Sequence, residues 1–562
     1  MKTMKKILIY AIAALLTVGL SGCKDWLDVN HDPNNATPDR LTEAIMLTAQ
    51  QYAILNNMTN STYAWCLSHF LTKSGDFSGS YSFLSGQVLP QNLDSWWETY
   101  YYVNWNLRTM HDLAVTNEQP VYQAISELLQ VINFQRMVDI WGDIPYTQAC
   151  DPDEHTQPEY DDAKTIYADL IERAHTAAEM LETATEAPGD LAAADIICHG
   201  DLSLWTRVAY SVELRLLMRV SEDGVNLVSD LNSRIQDIYQ KCLTPEENVD
   251  ANPGYMAETD KMNIFFEAYG WDKNSSPVTN LRQYCPTTVL VDMLRDNNDP
   301  RLRVYADPRA SLGNDEEVGI TYPSNLATER YIGIPFGQMN PPGLEYATTT
   351  GRGILAGGSD LAEGMVRPST FMAGAEVGFL LAEAALRGII PGGDAAARDY
   401  YERSVISAMK RHEAAMQDPS ENFLDWRNTS PLVGMADPIP GTAEQAARDY
   451  LNQNSSFMNW SNMSDFETKL EAICAQKWLA FMGYNPMEAW FEQRRTDRPT
   501  LPSSCWSGVV NPNHNISLLP YPQTERNLNM DNIPQESRDR NVFTTTVFWD
   551  TENPVVPQTA IY

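Results

Sequence analysis

Six large aromatics fall within eleven residues, Ser95-Trp96-Trp97-Glu98-Thr99-Tyr100-Tyr101-Tyr102-Val103-Asn104-Trp105. Exposed aromatic faces suit the flat apolar side of a sugar ring or an apolar peptide side chain, whereas buried ones are simply core. Other chemistry is sparse. No phosphate-binding glycine loop and no nucleophile elbow are present. His412-Glu413-Ala414-Ala415-Met416 starts like a zinc-protease helix, but Met416 stands where the second histidine ligand is required. Asp296-Asn297-Asn298-Asp299 and Asp151-Pro152-Asp153-Glu154 offer oxygen ligands that could hold a structural Ca²⁺, without the spacing of a calcium loop, so they read as turns and no cofactor is expected. A glycosidase needs a pair of carboxylates at a set separation, and 74 acidic residues neither exclude such a pair nor point to one.

The elements that must position the aromatics are helical. Ser95 and Glu98 have capping-box spacing, which predicts a helix opening there. Trp97, Tyr101 and Trp105 recur at i, i+4, i+8 and are assigned to the core. Trp96, in the first turn beside a Gly/Ser-rich loop, is left as the candidate stacking platform. Further helices are predicted over Val121–Val138, about 163–183, 201–221, 375–388, 394–415 and Leu470–Met482. Gly142 and Gly388 are natural stops. Helix pairs follow from this order, although the full consensus of a 34-residue helical repeat is absent. Residues 263–368 change character. Gly and Pro become frequent, helical periodicity fades, and Tyr269-Gly270-Trp271 looks exposed in a turn.

With 562 residues, the chain is long for a single ordinary core. Its formal net charge of −34 makes nucleic acid a poor partner, because no basic stripe exists to replace counterions. Lys2, Lys5 and Lys6 precede an apolar run, Ile7 to Val18, too short for the ~20 residues a membrane span needs. It ends at Leu20-Ser21-Gly22-Cys23, similar to a bacterial lipobox. That resemblance implies a signal peptide over 1–22, a lipid on Cys23 and a tether over 23–40. The seven other cysteines are widely spaced, with no CxxC pair, and read as small buried residues.

Ordered motifs then extend along the whole mature chain: Gln135-Arg136-Met137-Val138-Asp139-Ile140-Trp141-Gly142-Asp143-Ile144-Pro145-Tyr146, Gly200-Asp201 with Trp205, Leu214 to Arg219, Asn298-Asp299-Pro300-Arg301-Leu302, Tyr331 to Pro335, Ala375 to Gly388, Gln476-Lys477-Trp478, Glu488-Ala489-Trp490, Arg494-Arg495, Tyr521-Pro522 and Phe548-Trp549-Asp550. In these the chain resembles the SusD/RagB family of surface lipoproteins, and its second SusD-like subgroup in particular. Phe548 stands where the family usually has Trp.

The resemblance implies a mostly α fold. About four tetratricopeptide-like helix pairs would form a scaffold over about 41–262 and 369–500. A loop-rich, ligand-facing part with short strands would cover 263–368 and an irregular tail 500–562, all in one domain from 41. It implies an outer-membrane, outward-facing lipoprotein that is not an enzyme. Such a protein binds an oligosaccharide, or in some members a peptide, and works with a SusC-like TonB-dependent transporter. A purely structural lid and a surface glycosidase are the remaining readings. Asp139, Arg215, Arg387 and Arg495 would then be polar anchors of the scaffold. The expected ligand contacts are Trp96, Tyr269 and Trp271 for stacking, with Asp76, Asn92 and Arg282 for hydrogen bonds.

Overall fold

Local caps set the long helices. Asp162 accepts from the Thr165 amide at 3.0 Å and opens one helix; Asp201 accepts from the Leu204 amide at 2.9 Å and opens another. Gly142, at φ +76°, stops the helix before it, as its left-handed backbone permits. The computed structural model describes residues 41–59, 61–73, 82–222, 224–274, 276, 278–306, 331, 333–338, 361–417, 441–505, 513–552 and 555–556. Its main helices are α1 (Glu43–Thr59), α2 (Thr62–Leu67), α3 (Asp94–Thr116), α4 (Pro120–Trp141), α5 (Ala163–Thr183) and α6 (Leu202–Arg219). After the middle section come α7 (Gly374–Leu386), α8 (Gly393–Lys410), α9 (Ala443–Leu451), α10 (Phe466–Phe481) and α11 (Pro486–Thr496).

Neighbours in sequence pack as neighbours in space. α3 lies on α1 and α4, α4 on α5, α5 on α6, α7 on α8, α8 on α9, and α10 on α11. α6 meets α7, and α11 returns to α2, so the two halves of the helical array touch. The fold is mostly α, with tetratricopeptide-like helix pairs and few short strands. Three two-stranded antiparallel ribbons tie in the loops: Leu71–Lys73 with Tyr284–Pro286, Ile144–Pro145 with Tyr160–Asp161, and Val249–Ala251 with Ser369–Met372. The middle section holds short helices rather than bare loop, including Ile264–Tyr269, Thr279–Gln283 and Thr288–Asp296. No helix among the described residues is long and apolar enough to cross a membrane.

Small residues set the closest helix approach. A Cβ on Gly378 of α7 would lie 2.1 Å from Ser404 Oγ on α8 and 2.8 Å from Pro245. Gly378→Leu should therefore pry the pair apart, lowering the thermal midpoint by an overpacking penalty of about 1–3 kcal/mol. A midpoint equal to the parent's would contradict this close packing.

Buried charges pin the array together. Arg219 of α6 is fully buried and donates to Asp139 at 2.8 Å, to Glu492 at 2.9 Å and to Glu488. Arg495 holds Glu383 at 2.6 Å and Glu492 at 2.8 Å; Lys477 also meets Glu492. Arg215 binds Glu376, and Arg387 bridges Glu383 and Glu222. Burial would raise the Glu383 carboxyl, yet Arg495, Arg387 and Lys477 hold it down to about 2. Asp139, Arg215, Arg387 and Arg495 are thus scaffold anchors, and Trp549 adds an indole N–H to Asp139 at 2.8 Å. Other motifs act alike. Asp195 accepts from the Trp205 indole at 2.7 Å and from three backbone amides, and Arg301 is held between Asp299 and Gln476. Asp296 pairs with Arg295 and Asp151 with Arg108, so both acid runs make ion pairs, and among the described residues no three His, Cys, Asp or Glu converge on a metal.

Two acids titrate near neutrality. Burial and the neighbouring Asp550 push Asp497 up to about 7, and burial pushes Asp550 up to about 6 against Arg494. Both values exceed the unfolded carboxylate, ~3.9. The folded chain therefore binds more protons than the unfolded one between these limits. The stability this gives is full below pH ~4 and is lost as pH rises through 6 to 7. The thermal midpoint should fall between pH 5 and pH 8, and Asp497→Asn should flatten that slope. A midpoint rising over this range in the parent, unchanged by the substitution, would overturn the assignment.

Candidate functional site

The chain approaches α3 through a short 3₁₀ turn, Pro90–Asn92. The expected capping box does not form. Leu93 is the N-cap, without a side-chain bond, and the Asp94 carboxylate instead accepts from the Thr524 amide at 2.9 Å and its hydroxyl at 3.1 Å. This tertiary contact starts the helix one residue before Ser95. Trp96 is half-buried in the first turn and meets Tyr63 of α2 edge-to-face, 5.8 Å between centroids. Tyr63 in turn stacks on Phe83 at 4.0 Å. Three rings from three segments thus form a step at the foot of α3, with half-buried Asn92 one turn away.

The rest of the aromatic run divides differently from the expectation. Trp97 is buried against Trp141 and Tyr101, and the Tyr101 hydroxyl donates to the Pro145 carbonyl at 2.7 Å. Trp105, assigned to the core, is instead 47 % exposed and pairs with Tyr102, 59 % exposed. The cause is helical drift. Successive i+4 steps advance ~40° each, so a stripe that starts in the core leaves it within two turns.

Two of the three expected stacking residues are core. Tyr269 is 0 % exposed between Trp65 and Phe265, and Trp271 is 4 % exposed against Phe266. The run Ile264–Tyr269 forms a helix that buries Phe265, Phe266 and Tyr269. A Cβ on Gly270 would sit 2.6 Å from the Phe266 carbonyl oxygen, so the turn closes tightly and returns Trp271 to the interior. Neither ring offers a face to a ligand. Arg282 lies on Thr279–Gln283, but its side chain is outside the described residues, as are Asp76 and Cys23 altogether.

Phe83 also walls a narrow cleft of about 20 Å³, room for one water-sized group. Its other walls include Phe336, Phe543 and Trp490, with His69, Gln493, Ser504, His514 and Asn515 as polar lining. Gly86, at φ +74°, makes room for the Phe543 ring, which a Cβ there would meet at 2.2 Å. No Lys, Arg, Asp or Glu lines the cleft among the described residues. The sequence pattern carried no sign of this grouping, because α11 lies about 400 positions from α2 and the segment around Phe83.

Over residues 33–522 the chain matches the SusD-like family model described as "Starch-binding associating with outer membrane". The chain is a member of the SusD-like family. The SusD-like fold is equally plain in solved structures. A chitin-binding protein aligns at 22 % identity and TM-score 0.68, over 91 % of this chain and 100 % of that one. A SusD homolog from Bacteroides fragilis NCTC 9343 aligns at 20 % identity and TM-score 0.67, over 91 % and 100 %. A SusD-like protein from Bacteroides thetaiotaomicron VPI-5482 aligns at 20 % identity and TM-score 0.63, over 90 % and 98 %. None of the curated proteins matches. The ordered motifs shared with SusD-like proteins are therefore mostly buried anchors of the helical array. The ring step of Tyr63, Phe83 and Trp96 stands outside that network.

Proposed function

We propose that this SusD-like protein captures an oligosaccharide at the cell surface and passes it to a SusC-like TonB-dependent transporter. A lipid on Cys23 would anchor it to the outer membrane, facing outward. The observation that carries the reading is the half-exposed Trp96 indole, set edge-on to Tyr63 beside an uncharged, aromatic-walled cleft. A sugar offers an apolar face ringed by hydroxyls, and this surface offers an aromatic face beside neutral hydrogen-bonding groups. The family's description and the chitin-binding relative support a glycan in preference to a peptide. Asn92, one turn from Trp96, is a proposed hydrogen-bonding residue, with Arg282 and, outside the described residues, Asp76 as further candidates.

The role is binding, not catalysis. The buried carboxylates described above are committed to arginines and lysine within the scaffold, which leaves them unsuited to act as a glycosidase pair. Calorimetric titration of the protein with neutral oligosaccharides tests the reading. Saturable binding without hydrolysis is expected. Binding of peptides alone would move the function to the peptide alternative.

A further inference from the structure

The ring step carries a polar group that the fold itself does not use. Tyr63, in the first turn of α2, is half-buried, and its hydroxyl has no hydrogen-bond partner among the described residues. Nor is that oxygen enclosed, so it opens to solvent. Other half-buried tyrosines use theirs inside the fold: Tyr101 donates to the Pro145 carbonyl at 2.7 Å, Tyr160 to Glu525 at 2.9 Å and Tyr146 to Asp169. Burial, and after it the Cys66 thiol, raises the Tyr63 phenol above its ordinary value, so it keeps its proton. It can therefore donate and accept at once.

The position of this hydroxyl is set in advance. Ser61 caps α2 by accepting from the Ala64 amide at 3.3 Å. Trp65, two residues past Tyr63, is fully buried and donates its indole N–H to the Thr59 carbonyl at 2.9 Å. Phe83 covers one face of the phenol at 4.0 Å, with the rings 19° from parallel. The Trp96 indole meets it at 5.8 Å and 84°. A ring held by its backbone and by two neighbours presents its hydroxyl at little ordering cost. A pyranose is about as wide as the indole it covers, so its ring hydroxyls overhang the indole rim, and the phenol adjoins that rim. We propose that Tyr63 is a further sugar-binding residue, its hydroxyl hydrogen-bonded to a ring hydroxyl of the pyranose that stacks on Trp96. This rests on the reading that a sugar stacks there, and it adds a polar contact from α2.

Maltohexaose, cellohexaose and chitohexaose, three neutral oligosaccharides, are titrated calorimetrically into the wild-type protein, Tyr63→Phe and Trp96→Ala. Tyr63→Phe removes the hydroxyl alone and keeps the ring against Phe83 and Trp96. The probe that the wild type binds most tightly should lose about fivefold to tenfold in affinity, the worth of one neutral hydrogen bond. The thermal midpoint should stay at the parent's value, because no bond within the fold is lost. A ring that serves packing alone would bind sugar as well with Phe as with Tyr. Unchanged or tighter binding by Tyr63→Phe therefore overturns the proposal, as does a weakening that comes with a lowered thermal midpoint. Trp96→Ala separates the two readings. If it abolishes binding while Tyr63→Phe binds like the wild type, the Tyr63 contact fails and the stacking site stands. If Trp96→Ala binds as before, or the wild type binds none of the three probes, the stacking site itself fails, and this proposal with it.

Discussion

Arg219→Ala is expected to yield a chain that melts far below the parent or cannot be recovered folded. The side chain is fully buried and touches three carboxylates, Asp139, Glu488 and Glu492, which come from two different helices. Its guanidinium also lies over the Trp549 and Phe491 rings at 5.2 and 5.6 Å. Burial would raise the Glu492 carboxyl, but Arg495, Lys477 and Arg219 hold it well below its ordinary value, so it is ionised in the fold. Removing one cation leaves buried negative charge without its partner, a penalty of about 3–5 kcal/mol. Whole-domain stabilities of about 5–15 kcal/mol leave little beyond that. Arg219→Lys keeps the charge but loses the fork that reaches three acceptors, so it should fall between parent and alanine variant. Thermal unfolding followed by circular dichroism gives the order. Equal midpoints for all three proteins would show that the network does not hold α4, α6 and α11 together.

Trp96→Ala should abolish measurable oligosaccharide binding while leaving the fold intact. A tryptophan that serves as a stacking anchor contributes about 2 kcal/mol or more on truncation, roughly a thirtyfold loss of affinity. Its stability role is small, because only part of the indole packs, edge-on to Tyr63. Trp105→Ala is the matched control. Nine residues farther along α3, at ~100° per residue, it points half a turn away from Trp96. Among the described residues that exposed ring pairs with Tyr102 alone, so its loss should leave sugar affinity within about twofold, in line with surface substitutions away from a site. A loss of binding from Trp105→Ala with none from Trp96→Ala would move the sugar to the outer face of α3.

The scaffold was legible because its signals are local. The helices expected at 163–183 and 201–221 are observed as Ala163–Thr183 and Leu202–Arg219, each opened by an aspartate cap and carrying an apolar stripe at helical spacing. Gly142 and Gly388 end helices as their types suggest. Exposure was not legible in the same way. Tyr269 and Trp271 flank a glycine and resemble turn residues, but whether a turn lies against solvent or folds back on a helix depends on what approaches it. Trp105 followed the i+4 rule for one step too many. The cleft was beyond reach altogether. His69 stands at the end of α2, Gln493 within α11, and Phe83 between α2 and α3. They meet because Trp478 bonds the Ser68 carbonyl at 2.9 Å and α11 packs on α2, contacts about 400 positions apart in the chain. The anchors Asp139, Arg215, Arg387 and Arg495 came from family likeness, and their geometry explains why such polar residues sit in a core.

The central claim is that the Trp96 step holds a sugar. It is tested most directly by one calorimetric experiment on the soluble chain that begins after Cys23. The chain is titrated against a panel of neutral oligosaccharides and length-matched peptides, with Trp96→Ala in parallel. Saturable binding of at least one oligosaccharide, lost in Trp96→Ala, and no peptide binding are expected. Peptide binding alone, or oligosaccharide binding that survives the loss of Trp96, would contradict it.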